Sequence, residues 1–226
     1  MDDAENHIKY NWNRIVLNVV QMILIHALLA IMLVSYAIPI GIVWYQCARA
    51  TSVSQIICKN KTGIIAAMAV MAIATCAYEH QRVKCASIEH AHLHKIGFAC
   101  IVSLLICIFS LVSIDESHAT HYVFAVLGFG AIIAFTLVHS ALMQTPVCAA
   151  VIATQFAACA HITHRFTTDG DIFLGEVAFI GAFALFYLYL HWDWVQRMVD
   201  SAAICSSVSD VGSSMENRIL SAPLSL

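Results

Sequence analysis

Charge is what this sequence has least of. Only 11% of its 226 residues are Asp, Glu, Lys or Arg, where an ordinary soluble domain carries roughly 25%. A chain so poor in polar side chains cannot cover a water-facing surface. Basic clusters are missing too. The Lys and Arg residues are scattered and the net charge is −3, so neither a nucleic-acid footprint nor a strongly anionic-lipid patch is present. The opening MDDAENHIKYNWNR carries acids where a signal peptide carries positive charge, and no small-residue cleavage site follows. Targeting by the first apolar segment itself is therefore expected. The nine cysteines include no C-x-x-C pair, and no nucleophile elbow, P-loop, HExxH or paired-carboxylate motif occurs.

What is present is apolar length: 61% of the residues are hydrophobic, in long runs without the alternation of a membrane barrel. A bilayer core takes about 20 helical residues to cross, and lipid-exposed backbone must satisfy its own hydrogen bonds. The expected fold is all-α, a polytopic bundle of six transmembrane helices. The spans fall at about 16–45, 63–80, 96–113, 121–143, 146–164 and 173–196. Residues 1–15 precede the bundle and 198–226 form a serine-rich tail expected to be disordered. Pro39 and Gly41 suggest a kink or tilt in the overlong first span. Pro146 suits the first turn of the fifth.

Six crossings place both termini on one side. Lys9, Arg14, Arg82, Lys84, Lys95, Arg197 and Arg218 then share that side, against Arg49, Lys59, Lys61 and Arg165 opposite. The excess favours cytoplasmic termini. Asn60-Lys61-Thr62 is a glycosylation sequon in the first lumenal loop. Cys47 and Cys58 flank that loop at a spacing suited to a disulfide. Glu216-Asn-Arg-Ile219-Leu220 approximates an acidic dileucine sorting signal with the acid one position too near.

Ionisable groups inside a membrane are costly, so each carries a functional hypothesis. Glu176 lies about one turn into the sixth span, either as a proton, cation or hydrogen-bond site or as a partly wet interfacial carboxylate. His121 and His139 frame the fourth span on one face, about 27 Å apart at 1.5 Å per residue. That spacing admits two bis-histidine haems, with His161 or His164 partnering His121 and His80 or His191 partnering His139. The alternative is interfacial histidines bonded to headgroups or loops. His26, mid-span in the first segment, reads as a helix–helix contact. Gly128, Gly130 and Ala131 give the fourth span a small-residue face.

SIEHAHLHKIGF, residues 87–98, joins the second and third spans. On a helix only His90 and His94 align. They can begin a zinc site, but a closed site wants four ligands, and only His80 and Cys85 are near in sequence. The competing reading is a polar, pH-sensitive hinge.

Several stretches together resemble the damage-regulated autophagy modulator (DRAM) family. They are Lys95-Ile-Gly97-Phe98 opening the third span, the polar IDESHAT loop, and His121-Tyr-Val-Phe-Ala-Val-Leu-Gly128-Phe129-Gly130 opening the fourth. Ser35-Tyr36, Glu176 and the closing WVQRM add to the likeness. The first lumenal loop, QCARATSVSQIICKNKT, departs from the family in lacking a proline–glutamate segment. The resemblance implies a six-span protein of lysosomal or endosomal membrane, with plasma membrane or Golgi as alternatives, that promotes autophagy without an established catalytic centre. It implies no cofactor, and partners among membrane lipids and unidentified proteins. His121 and Glu176 are the matched polar positions. They are expected to converge on a lumenal cavity if the protein instead handles lipid, as the wider superfamily's GPI-anchor and phosphoinositide connections imply.

Overall fold

The computed structural model describes residues 20–35, 41, 45, 52–53, 61–85, 90–114, 119–168 and 170–220; for Lys61, Cys85, Met198 and residues 200–220 it describes the backbone alone. Asn60, Cys47, Cys58 and residues 1–15 lie outside the described residues. Among the described residues every regular element is helical. The helices are α1 (Val20–Ser35), α2 (Lys61–Cys85), α3 (Ala91–Ser113), α4 (Ala119–Met143), α5 (Pro146–Thr167) and α6 (Phe173–Leu220). Five of them, α2 to α6, contain stretches long and apolar enough to cross a bilayer. The chain is an integral, multi-pass membrane protein.

The helices pack through seams, not broad faces. In α2 the buried positions Ile64, Met68, Met71, Thr75, Tyr78 and Arg82 alternate spacings of four and three, the heptad pattern that keeps one stripe against a neighbour. The α1 stripe Ile25, Leu29, Met32 repeats the pattern. Outside the seams, Ile106, Val126, Leu127, Phe156 and Leu185 are each more than half exposed. In a lipid solvent such surface needs no cover.

Two contacts set the register of the central helices. Ile64 and Met68 at the start of α2 cluster with Val112 at the end of α3, so those helices run antiparallel. Gly128 of α4 faces Cys107 and Leu104 of α3, and Gly97 of α3 faces His139 of α4, so that pair is antiparallel as well. The α4–α5 connection is a two-residue turn. Gln144 takes φ 49°, and its amide donates to the Ser140 carbonyl at 2.9 Å, a left-handed helix stop usually made by glycine. Thr145 then caps α5 by accepting the Cys148 amide at 3.4 Å, with Pro146 in the first turn.

Helix bounds differ from the sequence expectation mainly by extension. α2 continues five residues past 80 and α3 begins five before 96, so the polar connection shrinks and Arg82, His94 and Lys95 become helical. α6 runs to Leu220, through much of the stretch read as a disordered tail. No proline lies between Pro146 and Pro223 to stop it. Met1–Phe186 and Tyr187–Leu226 form two compact units; within the second, Arg197 Nε donates to Asp193 at 2.8 Å.

Candidate functional site

The α2 seam changes character along its length. Ile64, Met68 and Met71 are apolar, whereas Thr75, Tyr78, Glu79 and Arg82 are polar and all buried. Thr75 bonds back to the Met71 carbonyl at 2.7 Å. Glu79 and Arg82, one turn apart, form a 3.0 Å ion pair with side-chain exposures of 2% and 5%. Removing such a pair from water costs several kcal/mol per ion, offset only by close mutual attraction and further hydrogen bonds.

Antiparallel register brings α3 and α4 to the same level. Pairing Ile64 with Val112 sets Glu79 at the level of Gly97 and Arg82 at the level of His94, since each step along α2 is matched by one back along α3. Gly97 in turn faces His139 of α4, where a Cβ on residue 97 would overlap the imidazole. His94 and His139 meet edge to face with ring centroids 5.6 Å apart. Glu79, Arg82, His94 and His139 thus form one polar layer at the end of the bundle that carries the α2–α3 connection.

His139 is the most constrained member. It is 2% exposed, and Phe135 lies against its ring at 4.2 Å. Its Nδ1 sits 3.0 Å from the Phe135 carbonyl. A carbonyl oxygen only accepts, so Nδ1 carries the hydrogen and Nε2 of the neutral ring is a bare lone pair. That Nε2 and the neighbouring Ser140 hydroxyl are buried without a hydrogen-bond partner, a condition costing about 1–3 kcal/mol per group. One turn back, Gln155 of α5 donates to the Thr136 hydroxyl at 3.1 Å, both groups buried, tying α5 to α4.

His121 and Glu176, the two residues expected to share a lumenal cavity, lie at the opposite end. His121, in the first turn of α4, is 2% exposed; its Nδ1 lies 3.3 Å from the Ile114 carbonyl and Tyr122 packs edge-on to its ring. Glu176, in the first turn of α6, is buried and accepts the Val53 amide at 2.7 Å. Phe129 against Phe179 and Phe135 against Phe183 show that α4 and α6 run parallel. Glu176 and His121 therefore share one end, offset by about 7 Å along the axis at 1.5 Å per residue. No family model, curated protein or solved structure matches the chain.

His139 meets His94 and Phe135, while His80 is exposed on α2. Gly97 of α3 and Phe135 of α4 both lie against the His139 ring. His161 packs under Gly175 at the start of α6. His90 is the exposed residue ahead of α3 and makes no side-chain cap bond. Among the described residues no group of three or more His, Cys, Asp or Glu is arranged to hold a metal ion.

Glu79, Arg82, Thr136 and Gln155 are the polar-layer residues missed from sequence. For Arg82 alone the signal was in the α2 stripe, whose spacing of four and three continues unbroken from Ile64 through Arg82.

Proposed function

We propose that this integral membrane protein is a non-catalytic regulator of autophagy or of lysosomal membrane function, the role its DRAM-like segments imply. Support comes from how its buried polar groups are used. Glu176 holds the Val53 amide and Gln155 holds Thr136 on the next helix, while Glu79 and Arg82 neutralise each other. These bonds position helices and connections, as expected of a protein whose output is a shape that lipids or other proteins read.

The test is localisation together with flux. Protein tagged at its own locus should coincide with lysosomal markers, and its loss should change the turnover of an autophagosome marker when lysosomal proteolysis is blocked. Residence confined to Golgi or endoplasmic reticulum, with unchanged flux, overturns the reading.

A lipid-handling reading draws on one observation: His121 and Glu176 are both buried in first turns at the same end of the bundle. Under it, His121→Ala and Glu176→Gln shift the cellular profile of GPI-anchored proteins or phosphoinositides as strongly as loss of the protein does. An unchanged profile in both variants removes it.

A further inference from the structure

Three features of the polar layer converge on His139. Its Nδ1 is committed to the Phe135 carbonyl, so Nε2 is the atom left to accept. That atom is buried and has no protein partner. A second imidazole, His94 of α3, stands 5.6 Å away, centroid to centroid. A neutral imidazole with one nitrogen bonded to a backbone carbonyl and the other bare is the form in which histidine binds metals.

We propose that His94 and His139 form a two-imidazole site for a monovalent d10 metal ion, of which Cu(I) is the biological example. At the nitrogen–metal distance of about 2.0 Å, each ring centroid lies roughly 3.2 Å from the ion. Two rings on a linear two-coordinate ion stand roughly 6.4 Å apart, so the present 5.6 Å separation opens by about 0.8 Å to take the ion. The layer supplies two imidazoles, and among the described residues no group of three or more His, Cys, Asp or Glu is arranged to hold an ion. A closed zinc site requires four, whereas two nitrogens satisfy a d10 monocation. Charge points the same way. Glu79 already cancels Arg82, so a bound monocation leaves one uncompensated charge in a poorly solvated interior and a dication leaves two. His90, exposed one turn ahead of His94, places a first imidazole on the route inward.

The site stands or falls independently of the regulatory role. Tag-free full-length protein in detergent is titrated anaerobically with Cu(I) against a chromogenic Cu(I) chelator, and the loaded protein is examined by X-ray absorption at the copper edge. The expected result is one ion per chain with a shell of nitrogen scatterers and no sulfur. His94→Gln and His139→Gln should each weaken binding by more than the roughly tenfold that loss of an outer-shell partner costs. His94 is only half buried, so His94→Gln decides the matter if His139→Gln does not fold. A sulfur shell, full-strength binding by His94→Gln, or no capture of Cu(I) from the chelator overturns the site. The first two outcomes would place the ion on the cysteines instead.

Discussion

Gly97 of α3 lies so close to the imidazole of His139 on α4 that the absence of a side chain at residue 97 is what lets the two helices meet. Gly97→Ala is therefore expected to destabilise the protein by about 1–3 kcal/mol, the usual range for overpacking a filled site. Thermal unfolding in detergent measures it. Adding His139→Ala should restore part of the loss, because the two residues share one space and their effects do not add. Strict additivity would mean that the contact is not the cause.

Glu79 and Arg82 make a stronger prediction. Replacing either alone with a neutral residue leaves an uncompensated buried charge and should cost about 3–5 kcal/mol. Replacing both with leucine should cost far less than the sum. Arg197→Ala is the contrast. Its partner Asp193 is also within one turn, but the Arg197 side chain is 65% exposed, and such a pair is worth about 0–1 kcal/mol. Equal losses for the two pairs would contradict the burial of the α2 pair.

Gln155 and Thr136 connect α5 to α4 by one hydrogen bond within the membrane-spanning stretch. A double-mutant cycle with Gln155→Leu and Thr136→Val should yield a coupling of about 0.6 kcal/mol, and no more than about 1.7. Zero coupling would show that each group finds another partner when the bond is broken.

Glu176 should control the Val53 amide, which donates to its carboxylate at 2.7 Å. Hydrogen exchange at Val53 ought to quicken roughly tenfold to a hundredfold in Glu176→Leu, as loss of a charge-assisted bond predicts. Glu176→Gln keeps an acceptor oxygen and should lie between the two. Unaltered exchange in the leucine variant would dissociate Glu176 from the 52–53 backbone.

The α4 and α3 histidines show where reading residues in order stops being informative. His121 and His139 were legible as a pair framing one helix, because five turns of helix set their spacing. Their partners were not. His139 meets His94, 45 positions earlier in the chain, and no local pattern announces that encounter. Lys95-Ile-Gly97-Phe98 marked an informative stretch, yet the reason Gly97 matters there is an imidazole on another helix. Arg82, counted as a loop charge, proves to be a buried ion-pair partner because α2 carries its seam beyond residue 80.

Sequence alone determined the class of this protein. With 61% hydrophobic residues in long runs and 11% charged, only helices that satisfy their own backbone can hold such a chain in lipid. The positions of most spans followed from length and periodicity, since a helix is a local structure. Tertiary packing decided which polar residues are buried, which atoms are bonded, and that the interior of the bundle is polar near the α2–α3 connection. Those outcomes depend on the register between helices, set by contacts such as Ile64 with Val112 and Gly97 with His139. Nothing in a single helix encodes the register of its neighbour.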